Sequence, residues 1–324
     1  NYFAKLFEYK SNKMKLRTFY KIYYEHRYKK ANHILKLYIL ILIPIKYFIN
    51  LIYLPKIINL DEFVDRFGLN ETTDLSKLFE FFNSDKGNQF ENQYAHPSKR
   101  TSQKIKGHGY SNFYQKYFEN LKSNNLNILE IGSFHGNALA ALFFYFKRSK
   151  FFAADIYPDL FRYRSNRIKN FYVNSSDENS IQKNIIDKFS NNFDIIIEDA
   201  GHFFKDQIIS LFMLFKKLNS GGLFIIEELD FPDTRRDMNL QNEKPTLREI
   251  LFKFKKEKIL LNSKYIKKND RDNFLDNIDS IEIYKGNFNE IAILKKKIRS
   301  YFNEKKNYSY RWYREVWKSL KKYC

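Results

Sequence analysis

Between residues 127 and 230, five short apolar runs alternate with four helical patterns. The runs are NILEI (127–131), FFAAD (151–155), FYVN (171–174), FDIIIED (193–199) and LFIIEE (223–228). Helical periodicity falls between them at about 137–147, 159–168, 178–190 and 206–218. Such alternation constrains the chain to a parallel sheet covered by helices on both faces. SGG (220–222) marks the turn into the fifth strand. A helix near 245–257 follows, and then two runs, 280–286 and 291–296, separated by NFNE and read as an antiparallel hairpin. The expected fold class is α/β: a doubly wound, Rossmann-like sheet of parallel strands plus a C-terminal antiparallel hairpin. Helical, basic N- and C-terminal extensions flank it. The expected organisation is an arm over 1–56, a helical and loop lid region over 57–122, a cofactor-binding domain over 123–296 and a terminal helix over 297–324.

In such a sheet, ligands bind beyond the carboxyl ends of the strands, and the chemistry-bearing residues fall there. LEIGSFHGNALAAL (129–142) runs from a strand ending in Glu130, through a glycine turn, into a helix. Gly132 and Gly136 let the backbone bend and approach a ligand, and the helix N-terminus adds partial positive charge. Asp155 ends the second strand, 25 residues after Glu130, where an acidic residue accepts ribose hydroxyls. Ser175 and Ser176, in NSSD (174–177), end the third strand within reach of an adenine edge. Ser176 or Asp177 could equally cap the following helix.

Charge is unevenly placed over the 324 residues, whose net charge is +20. Residues 1–56 carry 12 Lys/Arg against 2 Asp/Glu, and residues 295–324 carry 11 against 2. The middle, with 34 against 33, is electrically ordinary. Basic ends interleaved with aromatic residues suit an anionic membrane surface or an acidic polymer. ILKLYILILIPIKYFINLIYLP (34–55) is about one bilayer long, yet Lys36, Pro44, Lys46 and Asn50 interrupt it. A lysine near the centre of a span costs roughly 2.5–3.5 kcal/mol. The reading favours a helix lying in the membrane interface over a packed or oligomeric helix or a span. One cysteine, Cys324, excludes an internal disulfide framework and a zinc ribbon, and fits a cytoplasmic protein.

The order Glu-x-Gly-x-x-x-Gly, Asp155, an acidic fourth strand and a Gly-Gly fifth strand with a closing hairpin resembles class I S-adenosylmethionine methyltransferases. SDKG (84–87), HGY (108–110), LEIGSFHG, IIEDAGH and GGLFIIEEL resemble one branch, the metal-dependent O-methyltransferases of macrolide sugars. The resemblance covers about 80–295 and implies S-adenosylmethionine and Mg2+ as cofactors. It implies that Asp199, Glu227 and Glu228 hold the ion and that His202 is the base. It further implies that the Asp85–Lys86 loop and Tyr110 close over the methionine end of the cofactor, Lys86 suiting its carboxylate. Glu228 stands where the branch has Asp. His108 is left open between a catalytic, a cofactor-closing and a surface role.

The resulting expectation is O-methylation of a sugar hydroxyl in a glycoconjugate or natural product. The acceptor is a glycan or other diol, with an anionic membrane as a second partner and a homo-oligomer allowed. The protein is placed in the cytoplasm, peripheral on the membrane's cytoplasmic face. The alternatives are an RNA methyltransferase and a non-catalytic, membrane-associated protein of this fold. A nucleic-acid partner is disfavoured, because the fourth strand lacks an Asn/Asp-Pro-Pro-aromatic motif and the charge lies outside the core.

Overall fold

A computed structural model describes residues 15–53, 57–62, 74–91 and 103–298. All but the first two residues of the C-terminal helix expected over 297–324, and the first part of the N-terminal arm, lie outside the described residues. Seven strands form the central sheet: β1 Asn127–Ile131, β2 Lys150–Asp155, β3 Ile168–Tyr172, β4 Phe193–Glu198, β5 Leu218–Ile226, β6 Ile278–Lys285 and β7 Glu290–Lys296. Their spatial order is β6-β7-β5-β4-β1-β2-β3. β3, β2, β1, β4 and β5 run parallel, and β7 and β6 return antiparallel. The chain order reverses between β1 and β4, which is where such sheets bind ligands.

The helices follow in chain order. α1 Leu16–Tyr23, α2 Glu25–Lys30 and α3 His33–Tyr53 precede the sheet, as do α4 Leu75–Phe81 and α5 Ser111–Phe118. Between strands lie α6 Asn137–Tyr145, α7 Glu178–Ile181 and α8 Phe204–Leu214, then α9 Phe231–Thr234, α10 Leu247–Glu257 and α11 Lys268–Asn277. Strand pleating sends alternate side chains to opposite faces. Ile128, Ile195, Ile197, Ile225 and Ile293 join the core formed with α4, α5 and α6. Leu129, Ile131, Ile196, Phe224 and Ile226 join the core formed with α8, α10 and α11. Burial on both faces is why the strands read as continuous apolar runs. A third cluster, Phe19, Tyr24, Ile39, Ile43 and Leu160, seats α1–α3 on the loop after β2.

Three expectations change. The helix expected over 159–168 is a single 3-10 turn, Pro158–Leu160, followed by a two-residue strand, Tyr163–Arg164, paired with Ile58–Asn59. Pro158 begins that turn, but Asn170 Nδ2 donates to Pro158 O at 2.6 Å and draws the segment to β3. The third strand covers 168–172 rather than 171–174. α11 carries no helical periodicity in the sequence, because its ten residues, KNDRDNFLDN, include only two apolar ones.

One of them, Phe274, is fully buried, with ring centroids 5.0, 4.8 and 5.8 Å from Phe212, Phe215 and Phe254. Phe274→Ala therefore removes the anchor that holds a polar helix on the sheet. It is expected to cost about 3–5 kcal/mol in urea denaturation. A loss under about 1 kcal/mol would show that α11 docks by other contacts.

Candidate active site

Three adjacent strands end in acids, and register decides which of them meet. Glu130, Ile197 and Ile225 lie side by side across β1, β4 and β5. Two residues further on, Asp199 and Glu227 project to the same face as Ile197 and Ile225. The ladder carries past the strand ends: Asp199 N donates to Ile131 O at 2.9 Å, and Glu227 N donates to Glu198 O at 3.0 Å. Glu198 falls on the opposite face. It is fully buried, and burial first, then Asp206, pushes its carboxyl well above the usual range.

Lys86 enters this acidic group from the loop after α4. Its ammonium is 1% exposed, bonds to Asp199 Oδ2, and lies 2.8 Å from Glu227 Oε1 and 3.9 Å from Glu130 Oε1. Tyr114 of α5 donates its hydroxyl to Glu227 Oε1. Burial alone would depress the Lys86 pKa, but Asp199 and Glu227 hold it well above its ordinary value. Burial pushes Glu130 and Glu227 each up to about 8, opposed by Lys86. The amine expected to meet a cofactor carboxylate is thus the counter-ion of Asp199 and Glu227. A buried charge persists only when paired in this way.

Beside this group, Asp199, His202 and Glu228 each offer a ligand atom within 4.8 Å of the other two. His202 Nε2 is 3.6 Å from Asp199 Oδ1 and 3.5 Å from Glu228 Oε2. The backbone at His202 and Glu228 is left-handed, with φ of 54° and 44°. Non-glycine residues adopt that region at a cost, and sites of function are where such strain accumulates. The turn at Glu228 ends the strand alternation, and its carboxylate lies against two imidazoles. The second is His108, whose Nε2 is 3.1 Å from Glu228 Oε1. Glu228 is 4% exposed, and its Oε2 accepts no hydrogen bond. Glu227, expected as a third ion ligand, is not in this group and faces Lys86 and Tyr114. Burial lowers the pKa of His202, Asp199 opposing, so its imidazole is neutral at pH 7.

A cavity of about 710 Å³ opens from these residues along the carboxyl ends of the strands, within the size range of small-ligand sites. Of the expected cofactor residues, Asp85, Lys86, Glu130, Gly132, Asp155, Ser175 and Ser176 line it. Tyr110 and Gly136 do not. Tyr110 is fully buried, its ring 5.3 Å from that of His108, so it backs the histidine rather than the cavity. Gly136 starts α6 with φ of 83°. Gly132, at φ 92°, lies so close to β4 that a Cβ there would sit 1.9 Å from Asp199 O. Asp155 accepts Phe134 N at 2.8 Å on Oδ2 and Tyr157 N at 2.7 Å on Oδ1, which fixes its carboxylate. Asp177 rather than Ser176 caps α7, accepting from Asn179 N. That leaves Ser175 and Ser176 on the cavity wall, where Ser176 Oγ donates to Asp206 Oδ2 at 2.7 Å.

The SDKG and HGY segments form one unit. Gly107, His108, Gly109 and Tyr110 donate their N–H groups to the carbonyls of Asn88, Asp85, Gly87 and Lys86, at 2.7, 2.7, 3.0 and 2.9 Å. A Cβ on Gly107 would lie 2.3 Å from Gly87 O, so the two strands of this clasp can approach only at glycine. His108, left open between roles by its sequence context, is thereby carried to the site.

No protein-family model matches the chain. It is 28% identical over 129 residues to the 8-demethyl-8-alpha-L-rhamnosyl tetracenomycin-C 2'-O-methyltransferase of Streptomyces olivaceus, covering 38% of this chain and 33% of that protein. Its fold is similar to the MycE methyltransferase from the mycinamycin biosynthetic pathway, solved in complex with Mg, SAH and mycinamycin VI. The TM-score is 0.51 at 18% identity, over 71% of this chain and 56% of that one. Against the same methyltransferase with Mg and SAH, the TM-score is 0.52 at 20% identity, over 71% and 56% of the two chains. The chain spans a third of the curated relative's length and 56% of the solved structure's. These likenesses establish a Rossmann-like methyltransferase fold.

Two outcomes follow from the packing around Asp199. Gly132→Ala forces the turn away from β4 and is expected to lower the urea midpoint of unfolding; an unchanged midpoint would contradict the close approach. The raised Glu130 pKa has a definite sign. The folded chain keeps a proton that the unfolded chain releases between about pH 4.5 and 8, so stability falls as pH rises through that window. Glu130→Gln is expected to show a shallower fall in urea midpoint between pH 5 and 8 than the wild type. Equal slopes would assign the effect elsewhere.

Proposed function

We propose that the protein is an S-adenosylmethionine-dependent O-methyltransferase acting on a sugar hydroxyl of a glycoconjugate or natural product, with help from magnesium. The observation that carries the reading is the meeting of Asp199, His202 and Glu228 at the carboxyl ends of β4 and β5, at one end of a cavity that runs past the Gly132 turn and Asp155. The likeness to a rhamnosyl tetracenomycin-C 2'-O-methyltransferase and to a methyltransferase solved with Mg, SAH and mycinamycin VI supports the choice of acceptor.

Asp155, its carboxylate held by two backbone N–H groups, is oriented to accept the ribose hydroxyls of the methyl donor. Ser175 and Ser176 border the adenine end. Asp199 and Glu228 fit a hard divalent cation: both offer carboxylate oxygens, and Glu228 Oε2 is a buried acceptor without a donor. When bound, the ion would polarise two neighbouring acceptor hydroxyls and lower the cost of removing a proton. Glu227, shared between Lys86 and Tyr114, orients the lysine instead of binding the ion.

His202 supplies the base. Its Nδ1 is buried without a partner, so Nε2 is the nitrogen turned to the carboxylates and the reacting hydroxyl. As the acceptor oxygen forms its bond to the methyl carbon, the carbon–sulfur bond breaks and its electron pair returns to sulfur. The hydroxyl proton passes to Nε2. Asp199 and Glu228 stabilise the imidazolium that results. Bringing donor and acceptor into line within one cavity supplies roughly 7–11 kcal/mol of the barrier reduction.

His202→Ala is expected to lower methyl transfer at least ~100-fold while leaving S-adenosylhomocysteine affinity unchanged in calorimetry. Mass spectrometry of a glycan panel, with and without chelator, tests the acceptor and the ion together. A product one methyl heavier should form only when magnesium is supplied. Full activity of the alanine variant, or indifference to chelator, would remove the corresponding role.

A further inference from the structure

Helix α3 is apolar on two sides. Ile39 and Ile43 are buried, packed with Phe19, Tyr24 and Leu160. On the opposite side Ile34, Leu37, Ile41, Ile45 and Phe48 recur every three or four residues, a single helical stripe, and are 54–83% exposed. Soluble monomers expose apolar residues singly, not as a continuous stripe along a helix. The lysines of this helix stay off the stripe. Lys36 Nζ lies 5.6 Å from the Tyr28 ring and Lys46 Nζ 5.7 Å from the Tyr24 ring, both toward the packed side.

Charge decides what covers the stripe. Residues 1–56 carry twelve Lys/Arg against two Asp/Glu. A second copy using the same face would press two strongly positive surfaces together. An anionic bilayer accepts the stripe at its headgroup–acyl boundary and the cations among its headgroups. We propose that α3 docks by this stripe in the interface of an anionic lipid bilayer. Among the described residues, no helix is long and apolar enough to cross a membrane. Docking along the surface needs no crossing.

The docked helix is tied firmly to the catalytic body. Asp159 accepts Lys15 N at 2.7 Å and Thr18 Oγ1 at 3.2 Å, which fixes the start of α1 on the loop after β2. Phe134 and Tyr157, both on the cavity wall, pack against the same cluster as Ile39 and Ile43, and Ile22 of α1 itself lines the cavity. A bilayer on the outer face of α3 would therefore lie close to the cavity, separated from it by the Phe19–Leu160 cluster. The proposal stands independently of methyl transfer, which S-adenosylhomocysteine calorimetry reports separately.

The test uses the full chain with vesicles. The wild type should sediment with phosphatidylglycerol–phosphatidylcholine vesicles, much less with pure phosphatidylcholine, and less as salt rises. Ile41→Asp/Ile45→Asp should weaken sedimentation at least ~tenfold while S-adenosylhomocysteine binding persists. Phe48→Trp avoids disruption: its fluorescence should shift to the blue with anionic vesicles alone. No sedimentation, no blue shift, or equal sedimentation of the double variant would overturn the proposal. So would a dimer in sedimentation velocity that the double variant dissolves, since the stripe would then serve a second copy or another segment of the chain.

Discussion

The buried ammonium of Lys86 is the contact on which the carboxyl-end face of this sheet depends. Three neighbouring strands deliver Glu130, Asp199 and Glu227 to one face; burial pushes Glu130 and Glu227 up to about 8 even with Lys86 among them, and without that ammonium the like charges would raise them further. Lys86 reaches two of those carboxylates directly and lies within 4 Å of the third. It belongs to the clasp formed by SDKG and HGY, so the sheet edge and the clasp are held by the same charge. Tyr114 completes the arrangement from α5, donating to the same Glu227 oxygen that lies 2.8 Å from the Lys86 ammonium. The division of labour among the acids follows. Glu227 binds lysine, Glu198 is sequestered on the far face with Asp206, and Asp199 and Glu228 remain beside His202.

Much of this was legible in the sequence, for identifiable reasons. The five parallel strands announced themselves because burial on both faces demands continuous apolar runs, and FDIIIED is the clearest of them. The glycine turn, Asp155 and the acids ending β4 and β5 follow from the rule that ligands gather at the carboxyl ends of strands. The pairing of SDKG with HGY is a backbone event between segments twenty residues apart, and no side-chain pattern records it. Nor does composition disclose a left-handed glutamate. Had β5 continued its alternation, Glu228 would have pointed away from Asp199 and Glu227 toward it. The positive φ at Glu228 reverses that assignment. Nothing local to SDKG signals how completely Lys86 is buried among acids. α11 is silent in the sequence because a helix anchored by one deeply buried phenylalanine leaves no periodic signature.

The same logic governs α1–α3. A helix apolar on two sides gives an ambiguous periodicity, consistent with a span, a core helix or an interfacial one. The structure separates the two sides: Ile39 and Ile43 carry the packing, and the stripe from Ile34 to Phe48 stays exposed among the described residues. Position matters as much as exposure, since the small cluster beneath α3 is shared with Phe134 and Tyr157 at the cavity.

The tip of the β6–β7 hairpin holds the clasp from outside. Asn287 N donates to His108 O at 2.7 Å, Asn287 Nδ2 donates to Gly107 O at 2.9 Å, and Asn289 Nδ2 is 3.3 Å from His108 Nδ1. A turn nearly two hundred residues downstream thus acts as a latch pin for the roof of the cavity. The outermost, antiparallel edge of the sheet is consequently not decoration on a parallel fold. It sets the height at which an imidazole hangs over Glu228, and drift at that distant corner would be felt as a loosened ceiling before it was felt as lost stability.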